Sequence, residues 1–336
     1  MQTGMGTSGN RKKRESRRAR RKRVMRNRII LAAAAAALVI LIIVLAVSCS
    51  KSETKTNRQK AAEQTAETAQ ESESADRRGE PETEESDEEE TGQDASGRVY
   101  GSWDLDELST EKVSCGFMPS NKNEDGVPNG IINFQQTYGK YNADFINDTS
   151  KKVIYLTMDE GFSNEQTADV LDILREKDVR VTFFCTMDFI EKRPDYIRRM
   201  LDEGHKIGDH SITHQSMPSL SRDEQQSEIM TVVDYMKENY DYDVMLFRFP
   251  YGHFSDECLA LVNNLGLKSV FWSFAYDDYS SEQPDPDESL EWMMQCLHPG
   301  AIYLLHADSA TNLALLPGLI DRVRAEGYEF GGVYPY

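Results

Sequence analysis

A regular alternation of short apolar segments with amphipathic ones, across residues 153–330, limits the possible folds more than any other feature. The amphipathic segments have helical features, since Val170, Leu171 and Leu174 recur at helical spacing and Ser221 opens a capping box that Glu224 completes. The predicted strands are 153–158, 181–185, 206–209, 244–247, 269–274, 301–305 and 328–330. Seven strands separated by helices predict an α/β fold with a parallel sheet of the barrel type, whose functional groups gather at the carboxyl ends of the strands.

The first 98 residues differ in composition from this alternating region. Residues 11–28 contain twelve basic residues and one acidic residue, and residues 29–47 are nineteen apolar residues in succession. A helix needs roughly 20 apolar residues to cross a bilayer, and basic residues that flank it stay in the cytoplasm. We therefore predict a basic cytoplasmic tail (1–28), a transmembrane signal anchor (29–48) and an extracytoplasmic remainder.

Cys49 leaves a second form of membrane attachment open. The segment AVSC at 46–49 resembles the cleavage box of a bacterial lipoprotein, although Ala46 stands where such a box usually has leucine. Residues 51–98 contain no aromatic residue and no valine, isoleucine, leucine or methionine, so they cannot bury enough apolar surface to fold. We predict a disordered acidic linker over 49–98, extended by the repulsion of its own charges.

The charge of the remaining residues excludes one class of partner. Residues 99–336 contain 19 basic and 41 acidic residues. Such a surface repels phosphate, which argues against nucleic-acid binding. The four cysteines in this part have no spacing typical of a metal knuckle, and no pattern indicates an obligate protein partner.

Two of the predicted strands end in groups that could bind a metal. Asp159 and Glu160 follow the first strand, where one carboxylate could bind an ion while the other accepts a proton. The segment HSITH follows the third strand, and if the chain turns helical there, His210 and His214 project from one face. Taken alone, an acidic pair is usually a solvated loop and this histidine spacing is usually coincidental.

Two further strands end in polar groups of a different kind. Arg248 follows the fourth strand, where it could orient a carboxylate, and the Pro-Tyr-Gly turn after it could present backbone N–H groups. His306 ends the sixth strand, and a carboxylate from 276–279 could fix its tautomer and raise its pKa. The plainer alternatives are an ordinary turn and a structural histidine. Because the ends of barrel strands meet at one edge, we interpret the four groups as one site.

Four ordered motifs resemble the polysaccharide deacetylases that carry the chitooligosaccharide deacetylase homology domain. They are YLTMDEG at 155–161, EGHKIG at 203–208, HSITH at 210–214 and HPGAIYLLH at 298–306. Within the family the match is similar to the delta-lactam-biosynthetic de-N-acetylases, which act on muramic acid in peptidoglycan. The resemblance implies a distorted (β/α)7-type barrel over 151–336, preceded by an extension at 99–150 that we read as irregular, and a divalent metal that is usually zinc.

The resemblance also implies roles for individual residues. Asp159 resembles the general base, paired with Arg248, and His306 resembles the general acid, oriented by Asp278. The implied metal ligands are Glu160, His210 and His214. The main-chain N–H of Tyr251 would stabilise the oxyanion, and Leu304 would line the pocket for the acetyl methyl group.

Two departures from the family pattern bear on the expected activity. Glu160 stands where most members have aspartate, which places its carboxylate one methylene further along, and Ala275 and Tyr279 replace a frequent aspartate and tryptophan. We expect a membrane-tethered enzyme of the bacterial surface that removes acetyl from N-acetylmuramic acid in peptidoglycan strands. The alternatives are a deacetylase acting on N-acetylglucosamine or an O-acetylated polysaccharide, and a catalytically silent cell-wall-binding module of the same fold.

Overall fold

The computed structural model describes residues 92–93, 98–116, 121–161 and 165–333. The predicted basic tail, the membrane anchor at 29–48, Cys49 and nearly all of the acidic linker lie outside these residues. Within the described ranges, every helix is too short or too polar to span a bilayer.

A parallel sheet forms the centre of the described part. In chain order the strands are β1 (Gly92–Gln93), β2 (Val99–Tyr100), β3 (Val113–Ser114), β4 (Ala143–Asp144), β5 (Val153–Glu160), β6 (Thr182–Cys185), β7 (Lys206–Asp209), β8 (Leu246–Phe247), β9 (His253–Phe254), β10 (Lys268–Val270), β11 (Ile302–His306) and β12 (Glu329–Phe330). The order across the sheet is β11–β5–β6–β7–β8–β10–β4, and β12 also pairs with β5. The predicted α/β class is confirmed, and each of the seven predicted strands overlaps an observed one.

Helices connect successive strands. In chain order the α-helices are α1 (Asn129–Tyr138), α2 (Gln166–Glu176), α3 (Met187–Lys192), α4 (Pro194–Asp202), α5 (Arg222–Tyr240), α6 (Asp256–Asn264), α7 (Pro286–Gln295) and α8 (Ala310–Ala325). The capping box is present at the start of α5, where the Ser221 hydroxyl accepts from the backbone of Glu224 and the Glu224 carboxylate accepts from Ser221. The helical face of α2 is buried at Val170, Leu171 and Leu174.

The sheet curves so that the chain after β10 comes back to β11, where one residue pair connects the two. The chain leaves β10 after Val270, and only Phe274 forms a bridge to Tyr303 of β11. The backbone N–H groups of Ser273 and Phe274 both donate to the carbonyl of Ile302. The last residue of the predicted strand 269–274 therefore pairs with β11, although the middle of that segment is not a strand. Because no continuous strand closes the ring here, the described part forms a half-barrel.

The segment before β5 is more regular than we predicted. Our description of 99–150 as irregular was wrong in this respect, because the segment contains α1 and contributes β4 to the sheet beside β10. Asp144 in β4 pairs with Lys268 at 2.9 Å, and Phe145 stacks on Phe271 with ring centroids 4.2 Å apart. Trp103 is held at its indole nitrogen by the Asn263 side chain at 2.9 Å. A strand of two residues is too short to produce a periodic pattern in sequence.

Candidate active site

The ends of four parallel strands place the predicted residues at one edge of the sheet. In the register of β5 with β11, His306 lies directly opposite Asp159. Strand β7 ends at Asp209, immediately before His210, and Asp209 lies opposite Phe247, immediately before Arg248. Since parallel strands end at the same edge, residues far apart in sequence become neighbours here.

Asp159 and Arg248 form a buried ion pair. Nη1 of Arg248 donates to Oδ1 of Asp159 at 2.8 Å, and the two side chains are 0% and 6% exposed. Burial by itself opposes ionisation of Asp159, but the charge of Arg248 outweighs this effect and brings the pKa of Asp159 below the ordinary value. Asp159 is therefore a carboxylate at neutral pH.

The surroundings of Arg248 hold its guanidinium in one orientation. Nη1 also donates to the Thr157 hydroxyl at 2.9 Å, while Nε and Nη2 donate to the carbonyls of Val270 and Phe271. The guanidinium lies 4.0 Å from the centroid of the Phe184 ring. Because its donors are directed to these acceptors, Arg248 can hold the Asp159 carboxylate in place but does not reach the substrate.

His306 and Asp278 form the second charged pair. Nδ1 of His306 donates to Oδ1 of Asp278 at 2.7 Å, because a carboxylate can only accept, and this leaves Nε2 for the substrate. Burial alone would lower the pKa of His306, but the hydrogen bond and the charge of Asp278 raise it to about 9. At neutral pH the imidazole therefore carries a proton that it can donate.

Sequence reasoning missed two residues that complete this pair. Asn312, in the first turn of α8, donates to Asp278, and the Tyr276 hydroxyl donates to the Asn312 side-chain oxygen. An asparagine just after a helix start carries no chemical pattern of its own in sequence. Only the packing of α8 against α7 and α2 brings it to the site.

The two histidines of HSITH are neighbours, but not on a helix. The condition of a helical turn is not met, because Ser211 and His214 have left-handed backbones with φ of 71° and 56°. The side chain of Asp209 accepts from the Ser211 backbone N–H at 2.7 Å, which stabilises this tight turn. The rings of His210 and His214 still meet edge to face, with centroids 4.8 Å apart.

The histidine pair fits a divalent metal. Nδ1 of His210 donates to the Arg248 carbonyl at 2.9 Å, and Nε2 then keeps its lone pair and lies 3.5 Å from Oδ2 of Asp159. Burial lowers the pKa of His210 to about 4 and also lowers that of His214, so both rings are neutral, as metal ligands must be.

Glu160 does not join the histidines in this conformation. It is the last residue of β5, and because side chains alternate along a strand, it points away from the face that holds Asp159. Its carboxylate is buried against Thr167 of α2, Oε1 has no hydrogen-bond partner, and burial raises its pKa to about 8. Within the described ranges, no three His, Cys, Asp or Glu side chains form a group that could hold an ion.

A two-lobed cleft opens over these residues. Its lobes have volumes of about 470 and 530 Å³ and share Asp159, His210, His214, Tyr279 and His306. The first lobe is the more aromatic one and also contains Cys115, Phe249, Tyr251, Trp272 and Leu304. The second lobe contains Asp188 and Asp308. An amide bond placed at the shared residues would therefore have one group in each lobe.

The predicted substrate-binding residues lie where a substrate could meet them. Leu304 lies in the wall of the first lobe and is almost completely buried. Tyr251 has a left-handed backbone, with φ of 58°, and its 61% exposed side chain packs edge to face on the His214 ring. The structure thus brings together every predicted site residue except the Glu160 carboxylate.

The chain is similar in sequence to known proteins. Residues 146–270 match the profile of the polysaccharide deacetylase family. Peptidoglycan-N-acetylmuramic acid deacetylase PdaA of Bacillus subtilis is 34% identical over 235 residues, which cover 69% of this chain and 89% of that protein. A peptidoglycan-N-acetylglucosamine deacetylase of Bacillus cereus is 27% identical over 184 residues, covering 54% of this chain and 86% of that protein.

A solved structure supports the same relationship. The structure of Bacillus subtilis PdaA, described as a family 4 carbohydrate esterase, matches with a TM-score of 0.61 at 33% identity and covers 67% of this chain and 97% of that one. The family profile spans Asp159, His210 and Arg248, whereas His306 lies beyond its end.

Proposed function

Because the chain belongs to the polysaccharide deacetylase family, we propose that it is a metal-dependent peptidoglycan de-N-acetylase that acts on N-acetylmuramic acid and releases acetate. It is a hydrolase that cleaves the carbon–nitrogen bond of a carbohydrate amide. One observation carries the proposal: a buried carboxylate paired with Arg248 and a protonated imidazole paired with Asp278 lie on directly opposed residues of β5 and β11. The choice of muramic acid is supported by the relative of that name.

Asp159 acts as the general base in this proposal. Arg248 keeps the carboxylate ionised and binds its Oδ1, which leaves Oδ2, 3.5 Å from Nε2 of His210, to accept a proton from the attacking water. The water oxygen then bonds to the acetyl carbon and forms a tetrahedral oxyanion, which the N–H of Tyr251 would stabilise.

His306 acts as the general acid. An amine leaves poorly unless it is protonated, and the Nε2 proton of His306 is available in the cleft because Nδ1 is held by Asp278. Proton transfer to the amide nitrogen breaks the carbon–nitrogen bond and yields acetate and the free amino sugar. Leu304 would contact the acetyl methyl group in the apolar lobe.

The family generally depends on a divalent metal, and His210 and His214 would hold it in this chain. When bound, the ion supplies a Lewis acid that polarises the acetyl carbonyl. Zinc suits two neutral imidazoles. The predicted third ligand, Glu160, stays a prediction that requires its side chain to turn away from Thr167.

A second candidate substrate is supported by the charge of the cleft. Among the described residues that line the two lobes there is no lysine or arginine, whereas Asp188, Asp277 and Asp308 are acidic. The lactyl group of a peptide-free muramic acid carries a carboxylate that would have no lysine or arginine as partner among these lining residues. This favours N-acetylglucosamine as the alternative, since that sugar is neutral.

The place of action is proposed from the sequence and from the relatives. Peptidoglycan lies outside the cell membrane, which agrees with the predicted anchor at 29–48 or lipid attachment at Cys49, followed by the linker at 49–98 and the deacetylase domain at 151–336. Fractionation of cells should find the chain in the membrane, with its carboxyl-terminal part digested by protease added to intact protoplasts.

Acetate release by the full-length chain tests the activity. The substrates are glycan strands without peptides and chitooligosaccharides, each with zinc and with a chelator, and mass spectrometry locates the lost acetyl group. We expect zinc-dependent loss from muramic acid that disappears in Asp159→Asn and His306→Ala. Asp321→Asn, which removes a surface carboxylate paired with Lys177, is the matched control and should keep full activity.

Each alternative has its own outcome in this assay. Release from chitooligosaccharides alone would identify N-acetylglucosamine as the substrate. Release from an O-acetylated polysaccharide alone would make the protein an esterase. A folded protein that binds zinc and glycan strands but releases no acetate would be a cell-wall-binding module.

A further inference from the structure

The carboxylate that orients His306 is itself held by an amide from another helix. Asn312 lies in the first turn of α8 and is 1% exposed. Its Nδ2 donates to Oδ2 of Asp278 at 2.5 Å and to the main-chain carbonyl of His306 at 3.0 Å. One amide group therefore contacts both members of the His306–Asp278 pair.

The orientation of this amide is determined by its partners. The Asn312 Oδ1 accepts from the hydroxyl of Tyr276, and the Nδ2 side faces two acceptors that cannot donate. Ser309, the N-cap of α8, accepts from the Asn312 backbone N–H at 3.3 Å and keeps this first turn in place. The side chain of Asn312 thus has no second arrangement that satisfies the same groups.

Asp278 depends on these donors because it is completely buried. Its Oδ1 accepts from the His306 imidazole, and its Oδ2 accepts from the His306 backbone N–H at 2.8 Å and from Asn312. Without Asn312, the His306 backbone N–H is the one donor left to Oδ2 among the described residues, and it alone opposes rotation of the carboxylate about Oδ1. Such a rotation would turn the imidazole away from the substrate, since Oδ1 alone holds Nδ1.

We propose that Asn312 is a positioning residue for catalysis, which fixes the Asp278 carboxylate and through it the proton-donating imidazole of His306. The proposal rests on the proposed function of His306 as general acid. Asn312 touches neither substrate nor the reacting atoms, so its loss should lower kcat and leave KM nearly unchanged.

Two substitutions separate positioning from general stability. Asn312→Leu keeps the size of the side chain and removes the donor, so kcat of the full-length chain should fall on the order of 10- to 100-fold at every pH. Asn312→Asp keeps the shape, but its new carboxyl lies beside Asp278, which raises its pKa. When protonated it can donate to Asp278, and when ionised it repels it.

The pH profile of Asn312→Asp therefore carries the signature. Its kcat should be within about threefold of wild type near pH 5.5 and should fall on the order of 10- to 100-fold by pH 8, whereas wild type stays level between these values. Asn263→Leu is the matched control, because Asn263 is also buried and also bonds through its side chain, but to Trp103 and Val99 away from the cleft. It should lower the melting temperature without changing kcat.

A spectroscopic measurement keeps this inference separate from the proposed function. The Nδ1 proton of His306, bonded to Asp278, should give a downfield proton resonance in the full-length chain that is absent in His306→Ala. The resonance should be lost in Asn312→Leu and kept in Asn263→Leu, even if no acetate were released by wild type. A kcat for Asn312→Leu within twofold of wild type, a wild-type pH profile for Asn312→Asp, or an unchanged resonance would overturn the inference.

Discussion

Replacing Arg248 with leucine should destabilise the protein more than almost any other single change at the site. The substitution leaves Asp159 as a buried carboxylate without its counter-charge, and the Thr157 hydroxyl and two carbonyls lose the donor that Arg248 supplies. Breaking a buried ion pair by removing one partner typically costs about 3–5 kcal/mol of unfolding free energy. We expect a loss in this range, because both side chains are almost completely buried.

A double substitution shows whether the unpaired charge is the cause. In Asp159→Asn with Arg248→Leu, no carboxylate remains, so the double variant should be more stable than Arg248→Leu alone by at least about 1 kcal/mol. Urea unfolding of the full-length chain at pH 7, followed by tryptophan fluorescence in the presence of a chelator, measures both values. The chelator removes any contribution from a metal at His210 and His214.

The same substitution at a partly exposed ion pair is the control. Arg199 forms ion pairs with Asp172 and Glu203, and Arg199→Leu should lower the free energy of unfolding by only about 0–1 kcal/mol. The reasoning is refuted if Arg248→Leu costs no more than Arg199→Leu, or if the double variant is no more stable than Arg248→Leu.

Three other substitutions test separate parts of the site. The wild-type rate of acetate release should fall as pH rises through about 9, because deprotonated His306 cannot donate a proton. Asp278→Asn removes the charge that raises the pKa of His306, so initial rates measured across pH should fall at a lower pH in this variant. If the Glu160 side chain turns to become the third ligand, Glu160→Gln should weaken zinc binding, measured by titration calorimetry, about as much as His210→Ala does. A far smaller loss would show that Glu160 stays buried against Thr167. Gly208→Ala should cost about 1–3 kcal/mol in urea unfolding, because its Cβ would overlap the ring on which Arg248 lies, and a neutral effect would contradict that packing.

The fold class and most of the site were predictable because their signals are local. Each strand is a short apolar segment, and each site residue directly follows one, so the rule that strand ends meet at one edge placed Asp159, His210, Arg248 and His306 together. The capping box of α5 was predictable for the same reason, because its two residues are three positions apart.

The predictions failed where the direction of a side chain, or a contact between residues distant in sequence, determines the structure. Whether Glu160 faces the histidines depends on whether β5 continues through it, and the strand does continue, so the alternation of side chains sends the carboxylate towards α2. The turn between His210 and His214 has left-handed backbones at Ser211 and His214 rather than a helical conformation, and Asp209 stabilises it by accepting from the Ser211 backbone N–H.

By itself, the sequence determined which chemistry the chain can carry, through the residue types and their order along the strands, and it predicted an anchor and a linker before residue 99. Only the tertiary structure decided which of these groups meet. The register of β5 with β11 sets Asp159 opposite His306, and the packing of α8 brings Asn312 to Asp278. Local patterns encode helices and strands through short-range sterics and burial, whereas the positions of hydrogen-bond partners 34 or 89 residues apart follow from how the elements pack.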